Sequence, residues 1–239
     1  MNTIKNILGE IIGGKILDVA TGDGSFIDLL TNNLKSYDEV IGIDVDEEAI
    51  KSSSAGNTNE KVAYRIMSGD NIDYPDGYFD TVSLSNSLHH LCNIDKTISE
   101  MLRVLRPNDT IIINELFSDN QNEKQLTHMY FHQFQADIET MLGITHNKTF
   151  SKQEIFNIVE RNGIRHYSTA IYENESFNKH VNPNMFAERY RKVLEKITGC
   201  SEYDKMKAVY DSLVERLYNV GVEFTSQILI VANKSGCVL

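Results

Sequence analysis

The sequence of 239 residues holds only three prolines and no low-complexity run, so no long disordered linker is expected. Cysteine is equally scarce. Cys92, Cys200 and Cys237 lie far apart and no Cys-x-x-Cys occurs, which argues against a disulfide framework and fits reduced thiols in a cytoplasmic protein. No apolar stretch reaches the length of a membrane span, and MNTIKNILGEIIGGK has too short an apolar run for a secretory signal. Basic residues are also short: 23 Lys and Arg stand against 34 Asp and Glu, for a net charge of −11, and no basic block occurs. Nucleic-acid phosphates and anionic membrane surfaces would repel such a chain, so neither is expected as a partner.

What is present is a chain long enough for one sizeable core, with 41% hydrophobic and 24% charged residues. The first half alternates strand and helix patterns. KILDVA (15–20), VIGIDV (40–45), KVAYRIM (61–67), residues 79–88 and residues 110–116 read as five strands. Between them, residues 24–35 show an apolar helical face at Phe26, Leu29, Leu30 and Leu34. Residues 46–51 open a helix with acids in the first turn, and residues 95–105 form an amphipathic helix stopped by Pro107. Such βα alternation predicts an α/β fold, a mostly parallel sheet with helices on both faces. In the second half, residues 121–142 and 151–162 read as helices and 164–172 as a sixth strand. Residues 183–198 and 202–219 read as two inserted helices, and 223–232 as a seventh strand.

Chemistry gathers at the strand ends. Leu17-Asp18-Val19-Ala20-Thr21-Gly22-Asp23-Gly24 turns strand one into a helix, where glycines let backbone approach a ligand. A dinucleotide site would want a third glycine where Ile27 stands, and Asp18 and Asp23 would repel a pyrophosphate. Carboxylates there suit a ligand with a sulfonium and an ammonium, which favours S-adenosylmethionine over NAD. Asp44 ends strand two, 20 residues after Gly24, and can accept hydrogen bonds from ribose hydroxyls. Gly69-Asp70-Asn71 follows strand three, where a carboxylate can meet an adenine amino group.

With these motifs the sequence resembles the class I S-adenosylmethionine-dependent methyltransferases across roughly residues 14–118. LDVATGDG, GIDVD, SGDNIDYPDGYFDTVSLSNSLHHL and LRVLRPNDTIIINE are similar to successive motifs of that group, with Asn108-Asp109 where a Gly-Gly turn is more usual. The resemblance implies a Rossmann-like seven-stranded sheet with an antiparallel last strand. It implies a single domain over 1–239 in which segments 117–150 and 175–222 form helical lids. It also implies S-adenosylmethionine as cofactor and a small-molecule acceptor. Asp18 would hold the methionine ammonium, and backbone at Ala20, Thr21 and Gly22, with Gly24 beside it, would line the methionine part. Asp44 would bind ribose, Val45 would pack near adenine, Asp70 and Asn71 would meet the adenine edge, and Ser85 and Asn86 would line the cofactor.

At the acceptor side, His89 and His90 close the predicted fourth strand, and the resemblance favours His90 as the pocket-facing base or orienting group. Glu115, His128, Tyr130 and His132 are candidate acceptor contacts. His128 and His132 share a helix face at i, i+4 spacing, yet the HExxH pattern is absent and no metal is expected. Phe131, Phe134, Met185, Phe186 and Tyr190 are expected chiefly in the core, and apolar faces on the inserted helices would serve a lid or a homodimer. Three competing readings are a silent cofactor-binding module, an NAD-dependent oxidoreductase and a protein or RNA methyltransferase. The acidic turn weighs against the second. Ser85-Asn86-Ser87-Leu88, in place of (D/N)PP(F/Y), weighs against the third.

Overall fold

A computed structural model describes residues 3–173, 178 and 181–234. The chain divides into two compact units, one made of residues 1–115, 154–172 and 228–239, the other of residues 116–153 and 173–227.

The first unit carries the sheet. Its strands are β1 (Lys15–Val19), β2 (Glu39–Asp44), β3 (Val62–Ile66), β4 (Phe79–Ser85), β5 (Leu105–Leu116), β6 (Tyr167–Tyr172) and β7 (Gln227–Asn233), in the order β3-β2-β1-β4-β5-β7-β6. The first five pair in parallel and the last strand is antiparallel, as expected of a Rossmann-like sheet. Parallel strands are covered on both faces, which explains unbroken apolar runs such as Ile111-Ile112-Ile113, each at most 1% exposed. After β1 the chain lays β2 and β3 to one side, then crosses back to place β4 on the other. This reversal opens a crevice at the carboxyl ends of β1 and β4, where open α/β sheets take their ligands.

The helices of this unit are α1 (Thr3–Leu8), α2 (Ser25–Asn33), α3 (Glu47–Gly56), α4 (Ile94–Val104) and a later one, Lys152–Arg161, which begins two residues ahead of the unit's second segment. Each buries one apolar stripe: Phe26, Ile27 and Leu30 in α2, and Ile98, Met101 and Leu102 in α4. Asp46 caps α3 by accepting the Glu48 and Ala49 amides at 2.9 and 3.2 Å, an arrangement worth about 1 kcal/mol. Arg103 in α4 anchors the loop that leads into β4. Its guanidinium donates to the carbonyls of Ile72 and Tyr74 at 2.7 and 2.8 Å and to the Asp76 and Glu100 carboxylates. Glu100 in turn accepts the Ile72 amide at 3.1 Å.

In the second unit, α5 (Glu123–Met141) starts with a capping box in which Asn122 and Gln125 satisfy each other's backbone amides. With the Lys152–Arg161 helix numbered α6, the remaining helices are α7 (Pro183–Glu195) and α8 (Tyr203–Val220). Phe131, Phe134 and Ile138 of α5 pack with Phe186, Tyr190 and Leu194 of α7 and with Leu213 and Leu217 of α8. Met185, by contrast, is exposed. Cys92 and Cys200 are exposed free thiols, and Cys237 lies outside the described residues.

Four boundaries differ from the expectation. β4 ends at Ser85 rather than at residue 88, because Asn86 turns to φ 47° and breaks the extended run. β5 begins at Leu105 and carries Pro107 in an irregular stretch where its pairing with β4 shifts register. Asn108 supplies the left-handed turn there, at φ 69°, that a glycine would adopt more easily. β6 and β7 each start three to four residues later than the apolar pattern suggests, at Tyr167 and Gln227.

Arg103 and the hydrogen bond it gives hold the Glu100 carboxyl down at about 2, from an ordinary 4.5. Stability from this pair is therefore complete above pH 4.5 and drains away as pH falls toward 2. Arg103→Ala should cost about 1–3 kcal/mol in chemical denaturation at pH 7 and flatten that acid-side slope.

Candidate functional site

Asp18 sits in β1 opposite Ser83 of β4 and is 1% exposed. The Ser83 hydroxyl donates to Asp18 Oδ1 at 2.6 Å, while Oδ2 is buried with no hydrogen-bond partner among the described residues. Burial pushes the carboxyl up to about 6, against the opposing pull of the Ser83 hydrogen bond. The turn that follows is tied down by its own backbone. The Thr21 amide donates to the Ile43 carbonyl at 3.0 Å and the Gly24 amide to the Thr21 carbonyl at 2.9 Å. Ala20 and Gly22 both take φ 53°. A Cβ placed on Gly22 meets no atom within 4 Å, so the turn borders open space there, whereas one on Gly24 would lie 2.4 Å from the Tyr64 hydroxyl.

Asp44, at the end of β2, stitches this turn to the next. Its Oδ2 accepts the Gly22 amide at 2.9 Å and its Oδ1 the Asp46 amide at 3.0 Å. Ser53 of α3 donates to the Gly22 carbonyl at 2.9 Å. Val45 is 69% exposed beside it, a large apolar side chain with its surface uncovered. Asp70 is exposed and accepts the Ser68 hydroxyl at 2.6 Å, and the Asn71 amide closes the same turn on the Ser68 carbonyl. On the β4 side, the Ser85 hydroxyl accepts Asn114 Nδ2 at 2.9 Å, and Asn114 Oδ1 accepts the Tyr172 hydroxyl at 2.9 Å. The Asn86 amide donates to the Asn114 carbonyl. The ends of β1, β2 and β4 thus bring together Asp18, the 20–24 turn, Asp44, Ser85 and Asn86. Asp70 and Asn71 follow at the end of β3.

His89 and His90 do not end a strand; they lie in a short 3-10 turn over Leu88–His90. His89 is buried, its Nδ1 3.0 Å from Glu115 Oε1, and Glu115 Oε2 accepts the Leu88 amide at 2.8 Å. Glu115 thus spends both oxygens on this turn. His90 is exposed, its ring centroid 4.3 Å from that of His89.

The remaining candidates belong to the second unit. His128 is buried against Phe224, ring centroids 4.7 Å apart, and its Nδ1 accepts the Thr225 amide at 3.4 Å. Burial, with help from the Arg189 charge, drops its imidazole to about 4, so it is neutral at pH 7. His132 Nδ1 lies 3.2 Å from the Thr149 hydroxyl, and its ring meets His146 edge-on at 4.8 Å. His146 Nδ1 is 2.6 Å from Glu139 Oε2. The i, i+4 pair therefore faces two different sets of partners. Tyr130 is exposed beneath the Arg216 guanidinium.

Sequence reasoning missed Ser83, Asn114, Tyr172 and the role of His89. Ser83 carried a usable signal, a hydroxyl inside the apolar run Val82-Ser83-Leu84; the others become meaningful only through their partners.

The switch-point crevice, its glycine turn and the carboxylates around it define a class: the sheet-bearing unit is that of the class I S-adenosylmethionine-dependent methyltransferases. Residues 17–113 match the family model described as a methyltransferase domain, and this stretch belongs to that family. The chain is 30% identical over 107 residues to the ubiquinone/menaquinone biosynthesis C-methyltransferase UbiE of Hydrogenovibrio crunogenus, covering 43% of this chain and 42% of that one. Among solved structures, a protein of Anabaena variabilis described as an antibiotic-pathway methyltransferase superposes with a TM-score of 0.66 at 16% identity, over 100% of this chain and 96% of that one. Phosphoethanolamine N-methyltransferase 2 of Haemonchus contortus, solved with S-adenosylhomocysteine, gives 0.58 at 14% identity over 97% and 51%. At such identities the structural likenesses concern the fold. The chain spans about half the length of the curated relatives it matches.

The raised Asp18 carboxyl makes a stability statement. Its folded value of about 6 exceeds the ordinary 3.8, so the folded state binds the proton more tightly and stability falls as pH rises from about 4 to about 6. Asp18→Asn should remove that slope and raise stability above pH 7 by about 3 kcal/mol, read from urea melts at several pH values.

Proposed function

We propose that this chain transfers a methyl group from S-adenosylmethionine to a small-molecule acceptor. The observation that carries this is the Asp18 carboxylate, which is buried at a stability cost with one oxygen lacking a hydrogen-bond partner among the described residues. A cationic ligand group turns that cost into binding energy. A phosphate-bearing ligand would be repelled.

The surrounding residues fit such a donor. Asp18 takes its ammonium, and the backbone of Ala20, Thr21 and Gly22, with the open face beside Gly22, takes the methionine part. Each Asp44 oxygen accepts one backbone amide and keeps a lone pair for the ribose hydroxyls. Val45 offers its uncovered apolar face to adenine, Asp70 and Asn71 meet the adenine edge, and Ser85 and Asn86 line the site. The bound donor supplies a methyl group on a sulfonium whose leaving group is neutral, so the protein's part is orientation and exclusion of water. His90 orients the acceptor or takes its proton.

The net charge of −11 favours a small acceptor over a nucleic acid. The curated relatives carry names from quinone biosynthesis, which makes quinone-pathway precursors the first acceptors to try. No helix among the described residues is long and apolar enough to cross a membrane.

Isothermal titration with S-adenosylmethionine, coupled to an assay for S-adenosylhomocysteine release, tests the proposal. Binding without release across candidate acceptors would indicate a cofactor-binding module instead. Asp44→Ala should weaken donor affinity by about 1–3 kcal/mol, and unchanged affinity would remove the ribose assignment. Because Asp18 must be ionised to meet an ammonium, donor affinity should weaken as pH falls through about 6, with Asp18→Asn weak at every pH.

A further inference from the structure

The histidine pair that helical spacing suggests, His128 with His132, is not the pair that the second unit brings together. Helix α5 ends in a Schellman turn. Gly143 takes φ 76°, its amide donates to the Thr140 carbonyl at 3.0 Å, and the Ile144 amide donates to the Glu139 carbonyl at 2.9 Å. The chain therefore doubles back along the helix. The Thr140 hydroxyl donates to the His146 carbonyl at 3.4 Å, and the His146 ring meets that of His132 with centroids 4.8 Å apart.

Each of these imidazoles has its Nδ1 held locally. His146 Nδ1 lies 2.6 Å from Glu139 Oε2, and Gln135 Nε2 fixes that carboxylate by donating to Oε1 at 2.7 Å. An ionised carboxylate only accepts, so His146 carries its hydrogen on Nδ1 and its lone pair on Nε2. His132 Nδ1 lies 3.2 Å from the Thr149 hydroxyl. Metal-bound imidazoles are held in this way, with the nitrogen remote from the ion bonded to a carboxylate or another oxygen. One ligand nitrogen from each ring lies within 4.8 Å of the other. Two nitrogens on a tetrahedral zinc stand about 3.3 Å apart, a gap that rotation of the half-buried His132 ring closes while His146, 5% exposed, stays in place.

We infer that His132 and His146 bind a divalent transition ion of the zinc class, with Glu139 as the positioning residue behind His146, and that the ion pins segment 142–150 to α5. One nitrogen lone pair of each neutral ring forms a bond to the ion, water fills the other positions, and nothing is oxidised or reduced. Imidazole ligands suit zinc and disfavour magnesium. The site lies wholly within the second unit and stands apart from the methyl-transfer reading.

The test uses the full chain carrying Cys92→Ser, Cys200→Ser and Cys237→Ser, so that thiols do not compete for the ion. Isothermal titration with Zn2+ alone should show one ion bound per chain, and Mg2+ should not bind there. Saturating Zn2+ should raise the melting temperature by several degrees and slow hydrogen exchange of the amides in 142–150. His132→Gln and His146→Gln should each weaken zinc binding tenfold or more, and Glu139→Gln by about tenfold. His132→Gln guards against misfolding, because that ring is only half-buried. Its metal-free melting temperature should stay within a few degrees of the parent's. His166→Gln, at an exposed histidine, should leave zinc affinity unchanged. The inference is overturned if Zn2+ does not bind, if Mg2+ binds as tightly, or if His132→Gln or His146→Gln binds zinc as well as the parent. It is also overturned if His166→Gln loses the ion, or if bound zinc leaves exchange in 142–150 unchanged.

Discussion

The buried carboxylate of Asp18, bonded on one oxygen to Ser83 and without a hydrogen-bond partner among the described residues on the other, is the constraint around which the sheet unit is arranged. It can exist there only because β1 lies between β2 and β4, in the one place where a strand is flanked by neighbours that arrive from opposite directions of winding. Desolvation opposes its ionisation, and the Ser83 hydroxyl offsets that only in part. A fold optimised for stability alone would place an apolar side chain at this position, as it does at Leu17 and Val19.

Around that point the loops are tied to one another rather than left to solvent. Asp44 holds the Gly22 amide, Ser53 holds the Gly22 carbonyl, and Ser87 reaches the Ala20 carbonyl at 3.2 Å. Arg103 performs the same service one loop further on, securing residues 72–77. Polar side chains in this unit therefore do two things at once. They satisfy backbone groups that turns leave unpaired, and they set the spacing of the carboxylates that a cationic adenosyl ligand would meet.

The second unit follows a different logic. Its aromatic residues, concentrated on α5 and α7, form its core: Phe131, Phe134, Phe186 and Tyr190 pack together. Its histidines occupy distinct settings, with His128 held neutral by burial and His132 set against Thr149 and His146. The match to the methyltransferase family model lies in residues 17–113, outside this unit.

The order of strands and helices, the glycine turn and the carboxylates at the strand ends were legible in the linear sequence, because each depends on local rules. Apolar runs mark buried strands, 3.6-residue spacing marks helix faces, and Asp46 before an acidic first turn marks a cap. Boundaries were less legible. Asn86 and Asn108 ended or bent strands by adopting left-handed backbone, a conformation asparagine can take but does not announce. Only the tertiary structure decided that Ser83 meets Asp18, that Tyr172 supports Asn114, and that Glu115 serves His89. Those partners lie 65, 58 and 26 residues apart. Which polar groups meet depends on strand register and crossover direction, and no short window of sequence contains that information.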